Sequence, residues 1–143
     1  MEAQNSSNNP VLPFTKFVLG VSATVQVIFA VCMFFPDLWH SFLWPPPLPQ
    51  MSDVARWFQA INYLGTAVAA VYALYQGTWT GAQVYFAFSF TYNAMAIIVS
   101  LIAAITNGIP LIMWLYVFLA VLYLSIVAFT WVRQSRGVSP RVA

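Results

Sequence analysis

Charge is what this chain has least of. From residue 57 to residue 132, 76 positions in a row, there is no Asp, Glu, Lys, Arg or His. The surface of a water-soluble domain needs charge. An uncharged stretch of this length belongs in a bilayer, where charge is expensive. The same absence removes the usual groups for acid–base catalysis, proton relay and ion pumping from more than half of the chain. A phosphate-cradling glycine loop, a Ser–His–Asp set and a metal-ligand cluster are also missing.

Cysteine is nearly absent. With Cys32 alone, no intramolecular disulfide can form. The residues before it, Phe29-Ala30-Val31, do not suit a lipid-anchor cysteine, so it reads as a small buried hydrophobe. Net charge is only +2 and the basic groups form no patch, which argues against nucleic-acid binding.

What is present is apolar. Hydrophobic residues make up 62% of the 143 and charged residues 6%, the composition of an integral membrane protein. Four spans are expected, at about 14–35, 57–76, 82–106 and 110–132. Each is long enough to cross ~30 Å of hydrocarbon at ~1.5 Å per residue. The first runs into Phe34-Phe35-Pro36 instead of a small-residue cleavage site, so it reads as a retained helix. Gly77-Thr78-Trp79-Thr80-Gly81 separates spans two and three, and Asn107-Gly108 with Pro110 separates three and four. The fold class expected is all-α, a four-transmembrane-helix bundle, antiparallel and up-down.

Polar segments flank the four-helix domain at 14–132. Residues 1–13 read as an N-terminal tail, mobile unless a neighbour holds it, and 133–143 as a basic C-terminal tail. The connection at 36–56 is longer than the others. Asp37 is positioned to cap a short interfacial helix that ends before Pro45-Pro46-Pro47, and Ser52-Asp53 to cap span two. Trp39 and Trp44 suit the bilayer interface. Lys16, Arg133, Arg136 and Arg141 flank one face and Arg56 alone the other, which predicts a multi-pass protein with both termini cytoplasmic.

Several polar residues recur at helical spacing. Span one offers Ser22, Gln26 and Ala30. Span two offers Gln59, Asn62, Tyr63 and Thr66 beside Gly65, Ala69 and Ala73, small residues at four-residue steps that let helices approach. Span three carries Tyr85, Ser89, Tyr92, Asn93, Ala96 and Ser100, and span four Tyr116, Ala120 and Tyr123. Two readings stand side by side. In one, these side chains are interhelical glue, with Gln26, Asn62 and Asn93 bonding one another or backbone carbonyls. In the other, they floor a pocket walled by Tyr63, Tyr85, Tyr92 and Tyr123, fit for a quinone, carotenoid, lipid or (bacterio)chlorophyll. No cofactor is required by either. His40, the only histidine, reads as an interface residue; its other uses are as an axial ligand of a porphyrin-type metal or as an acid–base partner of Asp37.

The layout resembles the DoxX-like group of small four-helix membrane proteins. The features that carry the resemblance are Phe35-Pro36 closing span one, the aromatic and proline-rich outer segment, Arg56-Trp57-Phe58 opening span two, and Tyr63-Leu64-Gly65 within it. Some proteins of that kind associate with oxidoreductase or electron-transfer systems. The function expected first is therefore a non-catalytic accessory or structural subunit, packed against a larger membrane complex or a copy of itself, in contact with membrane lipid and with no nucleic acid. A binder of a small lipophile is the alternative, and a small membrane enzyme using Asp37 and His40 the third.

Overall fold

The computed structural model describes residues 9–38, 52–107 and 111–137. All regular structure there is helical: α1 (Pro13–Phe34), a single turn α2 (Pro36–Leu38), α3 (Asp53–Gln76), α4 (Trp79–Asn107) and α5 (Leu111–Gly137). The helix boundaries have local causes. Pro13 supplies the first residue of α1, where its missing N–H costs nothing. Phe35 is extended (φ −108°, ψ 105°) because the ring of Pro36 disfavours a helical predecessor, and α1 stops there. Ser52 caps α3 by accepting from the Ala55 N–H at 3.3 Å. Gly77 closes α3 in the left-handed region, φ 64°, a conformation cheap only without a Cβ.

Three boundaries differ from the sequence expectation. Helix α3 starts at Asp53, before Trp57, because the Ser52 cap lies outside the apolar run. Helix α4 starts at Trp79, so the expected five-residue break shrinks to Gly77-Thr78. Helix α5 continues through Arg133, Gln134 and Arg136 to Gly137. Arg and Gln are good helix formers, and the end of the uncharged stretch is not the end of the helix. Asp37 lies within the turn of α2 and is exposed, rather than preceding that turn as a cap. The rest of the interfacial segment expected after it, with Trp39, His40 and Trp44, lies outside the described residues, as do Gly108 and Pro110.

Helix α1 packs most extensively on α3, α4 on α5, then α3 on α4 and α1 on α5. Backbone bonds bring specific ends together. The Val11 N–H donates to the Gly77 carbonyl at 3.0 Å, and the Trp79 N–H to the Asn9 carbonyl at 2.8 Å. The start of α1 therefore lies against the α3–α4 turn. The main core sits at this end, from Val11, Val18, Leu19 and Ala23 across to Ala70, Trp79, Phe86 and Val127. A smaller cluster, Met33 and Ala60 with Tyr63 against them, lies where α1 ends and α3 begins.

Three helical segments are long and apolar enough to cross a membrane: Pro13–Phe34, Trp79–Ile102 and Trp114–Arg136. Most of their side-chain surface is apolar and outward, as in Phe17, Phe88, Ile98 and Phe118. In water that much exposed apolar surface would drive association; in lipid it is solvated. This is the character of a membrane protein. Helix α3 has the length, 24 residues, but carries Gln59, Asn62, Thr66 and many alanines in place of bulky apolar side chains.

Candidate functional site: a divided polar interior

The polar side chains form two groups instead of one stripe. The first is centred on the Tyr123 hydroxyl of α5. It lies 2.8 Å from Ser89 Oγ and 3.2 Å from the Tyr85 hydroxyl, both on α4, and 3.3 Å from Ser22 Oγ on α1. Gln26 Nε2 donates to the Tyr85 hydroxyl at 3.0 Å. Helical spacing explains the convergence: Ser22 and Gln26 are one turn apart on α1, and Tyr85 and Ser89 one turn apart on α4. The long Gln26 and Tyr85 side chains bridge the α1–α4 diagonal, across which the two backbones make no close approach. Gln26 Oε1 is buried with no hydrogen-bond partner. A buried, unpaired amide oxygen costs on the order of 1–3 kcal/mol.

The second group joins α3 to α4. Gln59 Nε2 donates to the Tyr92 hydroxyl, and Tyr92 stacks on Phe88 with centroids 6.3 Å apart. Tyr63 lies beside Phe29 of α1, centroids 5.6 Å apart. Asn62 and Asn93 belong to neither group. The Asn93 amide donates to its own helix, at the Ser89 carbonyl, 2.8 Å away. Asn62 is exposed, and its carbonyl accepts from the Thr66 hydroxyl at 2.7 Å. The three amides do not bond one another: Gln26 reaches a tyrosine, and Asn93 takes the other expected course, a backbone carbonyl.

Of the small residues expected on the packing face of α3, Ala73 is buried, while Gly65 and Ala69 face outward; the other buried alanines are Ala60, Ala67 and Ala70. A methyl at Gly65 would meet no atom within 4 Å. Gly65, Ala69 and Ala73 recur at four-residue steps and Ala67, Ala70 and Ala73 at three-residue steps, and periodicity alone does not tell which row is covered.

Two residues at the bundle ends matter more than their sequence context indicates. Arg56 is 3% exposed. It donates to the Met33 carbonyl at the end of α1 (2.9 Å) and to Asp53 Oδ1 (2.6 Å). Asp53 and Arg56 form an ion pair one helical turn apart, in which only Asp53 is exposed, at 72%. Arg56 is better described as a cationic cap on the negative end of α1. Gln134 is fully buried. Its Oε1 accepts from the Leu12 N–H (2.9 Å) and the Thr15 hydroxyl (2.8 Å), and its Nε2 donates to the Pro10 carbonyl (3.0 Å). The described part of the N-terminal tail, residues 9–12, is thus held by its neighbours. One signal was available for Gln134: it continues the face marked by Tyr123, Val127 and Thr130.

Chemically, these groups can donate, accept and orient. The groups centred on Tyr123 and on the Gln59–Tyr92 pair include no carboxylate, imidazole or amine. His40 lies outside the described residues, so the axial-ligand expectation and the Asp37–His40 couple have no geometry here. Open surface grooves among the described residues include one of about 400 Å³ between α4 and α5 and one of about 420 Å³ on the outer face of α1. Comparison with protein-family models, curated proteins and solved structures found no match.

Proposed function

We propose that this chain is a four-span, up-down membrane bundle with both termini cytoplasmic, and that it serves without catalysis of its own as an accessory subunit beside a larger membrane complex. An energy-transducing or electron-transfer assembly is the first choice, in keeping with the DoxX-like layout. The observation that carries this reading is the outer face of α3. Asn62, Gly65 and Ala69 lie on it, exposed and unpacked within the chain. Against lipid, such a face exposes an amide to hydrocarbon and leaves shallow gaps. Against another helix, it permits close backbone approach and gives Asn62 a partner, a contact worth about 0.6–2 kcal/mol in membranes. It also accounts for the lower apolarity of α3, which would cross the membrane sheltered on both sides.

A photo-crosslinking residue placed at position 65 in native membranes tests this. The expected product is one discrete heavier species, absent when the probe is moved to Phe17 on the outer face of α1. Crosslinks to lipid alone from position 65 would end the reading, and a product of twice the chain mass would replace the larger complex with a homo-oligomer.

A second reading, a binder of a quinone, carotenoid or other small lipophile, draws support from the unpaired Gln26 Oε1 beside the Tyr85–Tyr123 pair. A ligand hydroxyl would satisfy that oxygen. The purified protein should then release one organic molecule on solvent extraction, and a Gln26→Leu variant should lose it. An extract containing only bulk membrane lipid would remove this reading.

A further inference from the structure

The groove between α4 and α5 lies one helical turn from a cation. Its walls are Phe86, Phe90, Val127, Ala128, Trp131 and Val132. Thr91 also borders it, but that hydroxyl is spent on the Ala87 carbonyl of its own helix at 3.0 Å. The groove therefore asks for an apolar occupant. Along α5, Ala128 and Val132 lie one turn apart, and the next residue in that row is Arg136, exposed in the last turn. At ~1.5 Å per residue, the path from Arg136 back to Val127 is on the order of 14 Å, enough to take much of an acyl chain.

Charge at this end of the bundle has one sign. Lys16, Arg133 and Arg136 stand there, and among the described residues no Asp or Glu does; Asp37 and Asp53 belong to the opposite end. The three cations are not equivalent. Arg133 lies over the Phe14 ring, 4.9 Å from its centroid, and so is turned towards α1. Arg136 is on the groove's own row and has no carboxylate partner among the described residues.

We propose that the α4–α5 groove is a site for an anionic phospholipid, with an acyl chain along Phe90, Ala128 and Trp131 and the headgroup phosphate on Arg136. The occupant is a membrane lipid, selected by the cation above a chain-shaped apolar surface. A zwitterionic lipid fits the same groove, but its ammonium offsets the phosphate at Arg136. One basic residue near an anionic surface is worth about fivefold in binding.

The test uses the full chain in nanodiscs and reads tryptophan quenching by brominated phosphatidylglycerol against brominated phosphatidylcholine. The Trp131→Phe variant isolates the signal from the groove. The expected result is about a fivefold preference for phosphatidylglycerol at Trp131. Arg136→Gln should bring it close to one, and so should Ala128→Phe, which fills the groove and keeps every charge. Arg133→Gln should retain most of it. Circular dichroism checks that each variant keeps its helices, as expected for exposed positions 128 and 136. Equal quenching by the two lipids in the parent protein would overturn the proposal. So would equal losses in the Arg133 and Arg136 variants, which would indicate diffuse surface attraction, or an unchanged preference in Ala128→Phe.

Discussion

The two ends of the bundle are built differently. Where α1 starts, four segments meet: residues 9–12, the α3–α4 turn, the first turn of α4 and the last turns of α5. The aromatic rings are close there, with Trp79 and Trp131 centroids 5.2 Å apart and Phe14 and Phe129 at 5.8 Å. Gln134 closes that end with three hydrogen bonds from one side chain. Where α1 ends, its main fastening is Arg56 bound to the Met33 carbonyl, above the small cluster of Met33, Ala60 and Tyr63. The lesson is that a bundle in lipid is held where polar groups satisfy each other, since apolar contact between helices gains little over apolar contact with lipid.

Three substitutions test that difference, in falling order of effect. Gln134→Leu keeps the volume roughly constant but leaves the Leu12 N–H and the Pro10 carbonyl without that partner. It should cost about 3 kcal/mol, taking ~1 kcal/mol or more per lost bond at a buried site. Reversible unfolding in mixed micelles measures this, and rapid amide exchange at Leu12 should accompany it. A cost under about 1 kcal/mol would mean that the two ends are held equally.

Arg56→Met keeps most of the side-chain stem and removes the cationic cap. About 1.5 kcal/mol is expected, with the loss confined to exchange protection around Met33 and Ala60. Loosened amides near Gly77 in this variant would show that the ends are coupled and the comparison false. Tyr92→Phe removes only the bond from Gln59 on the less densely fastened side. Its effect should stay below about 0.6 kcal/mol. A larger loss would raise the Gln59–Tyr92 pair to the rank of a fastening.

Some of this was legible in the residues. Pro13, Phe35-Pro36, Ser52 and Gly77 announce helix limits through local backbone chemistry, which acts within a few residues and needs no partner. The convergence of Ser22, Tyr85, Ser89 and Tyr123 was half legible, since each lies on the inward face suggested by its own helix. Their partners were not, and neither was the use of Gly65, Ala69 and Asn62. A helical repeat specifies which residues share a face, but the rotation of one helix against another decides which face is covered. Arg56 and Gln134 escaped for another reason. Both lie at the margins of the uncharged stretch, where a long polar side chain can equally reach water or turn inward to a carbonyl.

Seventy-six positions without Asp, Glu, Lys, Arg or His determined the solvent of this protein by themselves, because hydrocarbon excludes unpaired charge whatever the helices do. Packing alone decided that an arginine would be buried against the end of α1 and that Gln134 would bind Pro10, Leu12 and Thr15. Those choices depend on which carbonyls and N–H groups are left over once the helices have docked, and no span of sequence holds that information locally.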